Sequence, residues 1–252
     1  MDLIHEFLEK AETHMSYVSW LGLFLSVIAG LAITASGPGY RLGLWKFKTG
    51  ISLVKFSGWM SIPALILCLF GIAIWRWTAS SGGFAPSLIG FLIGGTVLSL
   101  TLKWKHNLDS VPYIHDITTD TDNPPLFAAI LPLRADAENV SAYGGPDVAR
   151  QQKAGYPHLH AGIVSRKPDA VFPQALQAAK DMGWEIVSFD RGALRIEATD
   201  TTAWFGFKDD VVVRLSAIPA GSRIDVRSVS RVGKSDLGTN AGRINAYLAR
   251  VE

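Results

Sequence analysis

The sequence predicts an α+β protein in which a region of three transmembrane helices precedes a two-layer domain, an antiparallel meander sheet with flanking helices. Three observations predict this class. Residues 13–108 contain no Asp or Glu, three uncharged apolar stretches within them have the length of a bilayer crossing, and the last third of the chain alternates strand-like segments with turns. The 252 residues carry a net charge of only +2, which gives no indication of a nucleic-acid surface.

The N-terminal part is predicted to be helical throughout. Residues 1–15 form an amphipathic N-terminal helix with its apolar side chains on one face. Residues 16–105 form the transmembrane region, with spans at about 17–36, 59–75 and 84–102. A stretch of about 20 residues crosses the hydrocarbon core, and Trp and Tyr residues lie near the ends of the spans, where rings at headgroup level are expected.

The distribution of Lys and Arg gives an orientation for these spans. Cations are concentrated between the first two spans and directly after the third, so the positive-inside rule places the C-terminal domain in the cytoplasm. We therefore expect a multi-pass protein of the cell (inner) membrane. Because the spans contain no ionisable residue, the region is predicted to be an anchor rather than an ion path.

Two features of the membrane region indicate partners. Gly90 and Gly94 have the small-residue spacing that lets helices approach closely, which indicates either a homo-oligomer or protein partner at this face or packing within the chain. Residues 41–56 mix large apolar side chains with four cations, as expected of a strip in the headgroup layer. The lipid bilayer is therefore the expected partner of this half, and a protein partner is an open alternative.

The soluble half is predicted in two parts. Residues 106–168 are rich in Pro, Asp and Gly and read as an extended lead-in with a short helix near 147–153. Residues 169–252 form the α+β domain. It begins with a helix at 169–182 and ends with one at 235–250, and strands are expected at 184–189, 193–198, 203–207, 211–215 and 223–232. The short connections exclude a parallel sheet.

Five strings of this half occur together in one family. They are HDITTDTDNPP (115–125), YGGP (143–146), MGWEIV (182–187), IEATDTTAWFGFKDDVVVRL (196–215) and DVRSVSRVGKSDLGTNAGRI (225–244). Over roughly 110–251 the chain resembles the bacterial and plastid family called domain of unknown function 1499. The resemblance implies an association with membranes or export, and it implies no established activity, catalytic residue or cofactor.

The candidate ligand-binding site lies where the last strand leads into the last helix. Cations and hydroxyls are dense there, and the free N–H groups of a helix N-terminus favour an anion. The alternative is structural, with Ser235 capping the helix and Arg227 or Arg231 paired with Asp225, Asp209 or Asp210. The six candidate residues are Arg227, Ser230, Arg231, Lys234, Asp236 and Asn240.

A second candidate uses carboxylates. Asp209 and Asp210 are expected on a turn, and either of them with Ser230 would make a membrane-bound hydrolase. The chain has no G-x-S-x-G, P-loop, H-E-x-x-H or C-x-x-C motif, which disfavours the enzyme classes they identify and gives no reason to expect a metal or cofactor. The sequence therefore favours a binding or accessory module for an envelope or membrane partner or a small anionic or lipidic ligand. The hydrolase is the alternative.

Overall fold

The computed structural model describes the backbone of residues 2–78 and 83–252 and the side chains of 16–76 and 83–252. These residues divide into two compact units, 1–106 and 107–252. The first unit contains three helices, α1 (Asp2–Arg41), α2 (Phe47–Thr78) and α3 (Phe84–Ser110). The second contains a six-stranded antiparallel sheet with helices. The α+β class and the three apolar helices before the sheet are confirmed.

The three helices are long and apolar enough to cross a membrane over Ser16–Arg41, Phe47–Arg76 and Phe84–Ser110. Residues 2–15 continue α1 without a break, and the side chains on which their predicted amphipathic face depends lie outside the described residues. The strip predicted at 41–56 is not a separate element, because α2 begins at Phe47 and continues directly into its apolar stretch. A continuous helix keeps its backbone groups bonded where no water can bond them.

The spacing of Gly90 and Gly94 serves packing between helices of one chain. A Cβ built on Gly90 would lie 2.6 Å from Cys68 Sγ and 2.9 Å from Leu23 Cα, and one on Gly94 would lie 3.0 Å from Ser26 Oγ. Leu23 and Ser26 belong to α1 and Cys68 to α2. The close approach that the sequence predicts is therefore made within the helical unit.

We expect Gly90→Leu to destabilise the helical unit by about 1–3 kcal/mol or more, because the side chain would overlap the α1 backbone. Gly95→Leu is the matched control, since a Cβ at Gly95 has no atom within 4 Å. The loss of monodisperse full-length protein on heating in detergent, followed by size-exclusion chromatography, measures the difference. Equal behaviour of the two variants would contradict this packing.

The sheet of the second unit has the order β1-β6-β5-β4-β3, and β2 also pairs with β6. The strands are β1 (Asp116–Thr118), β2 (Gly162–Val164), β3 (Glu185–Asp190), β4 (Arg195–Thr201), β5 (Lys208–Ile218) and β6 (Gly221–Ser230). Strands β3 to β6 form the predicted meander. The segment predicted as a lead-in contributes β1, β2 and the helix α4 (Gly145–Gly155) to the same unit.

Two predictions in the meander are wrong. Residues 203–207 form a tight turn rather than a strand, because Thr202 bonds back to the chain: its N–H donates to Phe207 O and its Oγ1 accepts the Phe207 N–H, each at 2.9 Å. Gly206 adopts the positive φ of +70° that the turn requires. Residues 208–210, predicted as a solvated turn, begin β5, and Asp209 and Asp210 are both buried.

The two faces of the sheet are covered differently. Helices α5 (Pro168–Asp181) and α6 (Thr239–Val251) pack on one face and form the main core with apolar residues of β4, β5 and β6. Residues 124–143, here called the cover segment, lie on the other face, where Phe127 and Ile130 form a smaller core with Val212 and Val229. Polar side chains line both faces of the sheet at the same end, and these are the candidate site residues.

Candidate functional site

Strand alternation places Arg227 and Ser230, the two candidate residues on β6, on opposite faces of the sheet. Ser228 and Ser230 of β6 face the helices, while Arg227 faces the cover segment, because successive side chains on a strand alternate. Arg231, directly after β6, bonds to side chains on the Arg227 face. Lys234 is exposed in the loop that follows. Five of the six residues therefore contribute to two separate clusters, described below, and Lys234 belongs to neither.

The first cluster, on the cover face, is built around Arg227. This fully buried guanidinium forms a bidentate pair with Asp116, at 2.9 Å from Nε to Oδ1 and 2.7 Å from Nη2 to Oδ2. It also donates to Pro125 O and Ser141 O, and it lies over the ring of Phe127 at 5.2 Å from the centroid. Every nitrogen of Arg227 therefore has a partner, and β1 is tied to the cover segment through it.

Asp210 holds a second ion pair on the same face. Its carboxylate accepts hydrogen bonds from Nη1 of Arg134 at 2.5 Å and from Nε and Nη2 of Arg231 at 2.9 and 2.8 Å. It also accepts one from Oγ1 of Thr199 at 2.7 Å. The pairing of Arg231 with Asp210 is the structural alternative that the sequence allowed. Arg227 pairs instead with Asp116. The partner Arg134 was not expected; it is the single charged residue between Asn123 and Asp136, and that isolation was its only signal.

The second cluster lies under the N-terminus of α6 on the helix face. Oδ1 of Asn240 accepts hydrogen bonds from Oγ of Ser228 at 2.7 Å and from Nη1 of Arg243 at 2.5 Å. Its Nδ2 donates to Oγ of Ser230 at 3.1 Å and to His115 O at 3.0 Å. Each polar atom of its side chain therefore has partners. Asn240 joins β6, α6 and the chain before β1.

Asp209 lies beside Asn240 in this cluster. It pairs with Nη2 of Arg243 at 2.7 Å and accepts a hydrogen bond from Ser230, its direct neighbour across the sheet. Burial raises the pKa of Asp209, and Arg243 and Ser230 oppose that rise. Asp210 points to the opposite face, so the sheet separates it from Ser230. Of the two carboxylates proposed for a hydrolase, only Asp209 contacts the hydroxyl.

Asp236 caps α6, although the helix begins later than predicted. Gly238, with φ of +81°, is the N-cap residue in place of the expected Ser235. The Asp236 carboxylate accepts the N–H groups of Asn240 at 2.6 Å and Gly238 at 3.2 Å, which bonds donors that the helix leaves unpaired. Burial nevertheless raises the pKa of Asp236 to about 6.

This raised pKa makes stability depend on pH. Because the folded-state pKa of Asp236 lies above its ordinary value, its protonated form stabilises the fold fully below about pH 4, and that contribution disappears as the pH rises through about 6. We expect the stability of Asp236→Asn relative to the parent to rise by about 2–3 kcal/mol between about pH 4 and neutral pH, because Asn cannot ionise. Its single oxygen keeps only one of the two capping hydrogen bonds at either pH.

Thermal unfolding of the full chain across this pH range tests the expectation. The exposed Asp181→Asn is the control for the change in net charge. Parallel stability profiles of the parent and Asp236→Asn would contradict the role of Asp236.

A buried carboxylate on β4 fixes the cover segment. Glu197 accepts the N–H groups of Ala128 at 3.0 Å, Ala129 at 3.2 Å and Ile130 at 2.9 Å, and it pairs with Arg195 at 3.0 Å. Three consecutive backbone N–H groups therefore surround one carboxylate. The sequence predicted a strand at 193–198 around Glu197 but did not anticipate this role, because the donors are backbone groups almost 70 residues away.

The cover segment exposes apolar side chains on its outer side. Leu126 is 73% exposed, Leu131 43% and Leu133 54%, and Pro132 between the last two is also exposed. We call these four residues the apolar patch. Phe127, Ile130 and Arg134 of the same segment point inward and are buried. The segment is therefore fixed by its inward side chains and by Glu197, while its leucines contribute little to the core.

Comparison with known proteins gives one family. The family model described as "Protein of unknown function (DUF1499)" matches residues 116–251, which begins at β1 and covers the sheet, the cover segment and the helices that pack on the sheet. A search of curated proteins finds no match. The matched part is more than half of the chain and agrees with the resemblance seen in its sequence strings. The chain therefore belongs to the DUF1499 family of proteins of unknown function.

Proposed function

We propose that this protein is a membrane-anchored binding module. The three apolar helices hold the α+β domain at a membrane, and the domain binds a partner there through its apolar patch. The observation that carries the proposal is the exposure of Leu126, Leu131 and Leu133 on a segment fixed by buried ion pairs. Exposed apolar surface that is held in place, rather than left to collapse inward, is typical of an interaction site.

A photocrosslinking side chain at Leu133 tests this proposal in native membranes. We expect adducts with lipid or protein at Leu133 and few adducts at Lys180, an exposed position on α5 across the sheet. The full-length chain is used, so the anchor is present. Equal, low adduct yields at both positions would contradict the proposal.

A small anion at the six sequence-predicted residues is a separate binding proposal. Arg227 and Arg231 already bind Asp116 and Asp210, so Lys234 is the exposed cation of the set and supports the proposal most directly. We expect Lys234→Ala to keep the fold and to lose phosphate binding in titration calorimetry of the full chain. Unchanged heats for parent and variant would contradict an anion site there.

The alternative function is a membrane-bound hydrolase, and the hydrogen bond between Ser230 and Asp209 favours it. Ser230 would be the nucleophile and Asp209 its base. Both side chains are buried, and the α6 residues Asn240 and Arg243 bond to Ser230 and Asp209 respectively, so the substrate would have to displace these two side chains. Under this alternative, a fluorophosphonate probe labels the parent and not Ser230→Ala. No labelling of the parent would contradict it.

We further propose that the protein lies in the inner membrane of a bacterial cell, with its domain in the cytoplasm. The concentration of Lys and Arg next to the same ends of the spans supports this. Ser222, next to the β5–β6 turn, is fully buried and bonds to Arg166 O. Arg191 in the exposed β3–β4 turn is therefore the labelling position. An impermeant thiol reagent should leave Arg191→Cys in the Cys68→Ala background unlabelled in intact cells and label it after lysis. Labelling in intact cells would place the domain outside.

A further inference from the structure

The apolar patch lies on a stretch of chain that presents no charge to solvent. From Pro124 to Ala135 every exposed side chain is Leu, Ala or Pro. The one charged residue of the stretch, Arg134, is buried against Asp210. Such a surface can enter an apolar phase without the cost of desolvating an ion.

Most backbone N–H groups in and beside the patch are hydrogen-bonded within the domain, which lowers the cost of placing them in an apolar phase. The N–H groups of residues 128, 129 and 130 are bonded to Glu197. Those of Leu131, Leu133 and Ala135 donate to carbonyl groups three residues earlier in the chain, and Pro132 has no N–H. In a lipid environment, unpaired backbone groups are costly because no water can bond them. The N–H groups of residues 128–131, 133 and 135, by contrast, already have partners inside the domain.

The covalent connection keeps the domain near a bilayer. The apolar stretch predicted in α3 ends at Leu102, α3 continues to Ser110, and β1 begins at Asp116. The eight helical residues 103–110 and the five residues 111–115 would reach at most about 30 Å even if the latter were fully extended, while a domain of this size is roughly 40 Å across. The connection is therefore shorter than the domain is wide, and the bilayer is the apolar surface that is always within reach.

We propose that the apolar patch inserts into the interfacial layer of the bilayer that holds α1, α2 and α3. This inference rests on the proposed function and names its partner as lipid. Asp122 and Asp136 flank the patch and are exposed, so the attraction is apolar and not electrostatic. Binding is therefore no stronger to anionic than to zwitterionic lipid, and added salt does not weaken it.

Fluorescence quenching of the full chain in nanodiscs tests the inference. In the Cys68→Ala background, a cysteine at Leu133 carries an environment-sensitive fluorophore, and the discs contain phosphatidylcholine with a nitroxide near the headgroup. The control fluorophore is at Lys180 on the opposite side of the sheet. We expect quenching at Leu133 to exceed that at Lys180 at least about threefold, and to fall when Leu126 and Leu131 are replaced by Ser.

The outcomes separate the inference from the proposed function. Water-like emission and equal quenching at both positions would overturn both of them. A fluorophore at Leu133 that is shielded from water but not quenched by the nitroxide would overturn the lipid partner and keep the binding module, with a second copy of the chain as the partner. Stronger quenching in discs that contain phosphatidylglycerol would overturn apolar insertion in favour of electrostatic binding.

Discussion

Asp116→Ala is expected to lower the free energy of unfolding of the α+β domain by about 3–5 kcal/mol, because it leaves the Arg227 guanidinium charged, buried and without its carboxylate. The pair is bidentate and lies between β1 and β6 under the cover segment. Native-state hydrogen exchange of β5 and β6 in the full chain measures the change in the domain alone.

Two further variants identify the cause of this loss. Asp122→Ala removes a carboxylate that is 90% exposed and lies 3.6 Å from Lys153, and a surface pair of this kind is worth at most about 1 kcal/mol. Asp116→Ala combined with Arg227→Met removes the uncompensated charge and should recover part of the stability. A double variant as unstable as the sum of its single changes would show that the pair does not act as a unit.

Glu197→Gln is expected to have the second-largest effect, a loss of about 2–4 kcal/mol, because the carboxamide offers only one oxygen to three N–H donors and leaves Arg195 without its charge partner. The loss should be concentrated in the cover segment. Hydrogen exchange at residues 128–131 should accelerate more than exchange in β5.

Glu185→Gln on the exposed edge of β3 is the matched control, since its side chain faces solvent. If Glu197→Gln left exchange at 128–131 unchanged, the anchoring of the cover segment would rest on Phe127, Ile130 and Arg134 alone. That result would contradict the role assigned to the carboxylate. The variant also provides a protein in which the apolar patch is loosened while its leucines remain.

Local patterns predicted the parts of the fold that depend on one element at a time. Hydropathy over about 20 residues identified the three apolar helices, and the short connections between strands predicted the antiparallel meander. Strands β1 and β2 have three residues each, too few for a periodic signal. They form because β6 offers partners from more than 50 residues away, which no local window contains.

The candidate anion site stays a prediction, because its function depends on which of its charged groups are paired in the folded domain. A dense group of cations and hydroxyls between 227 and 240 predicts an anion site only if those groups face solvent. In the structure Arg227 binds Asp116 and Arg231 binds Asp210, and neither burial nor pairing can be read from the segment itself. Conversely, the Leu-rich stretch at 126–133 reads as an ordinary apolar run, and only the structure shows that Leu131 and Leu133 point away from the core.

If lipid or protein covers the apolar patch in the native membrane, it shields a cysteine at Leu133 from a water-soluble thiol reagent, and the rate of reaction measures that shielding. The reference is a cysteine at Arg191, exposed on the β3–β4 turn, in the same Cys68→Ala background and in membranes opened to the reagent. We expect the cysteine at 133 to react about tenfold more slowly than the cysteine at 191, the equivalent of about 1.4 kcal/mol of protection. Equal rates at the two positions would contradict it.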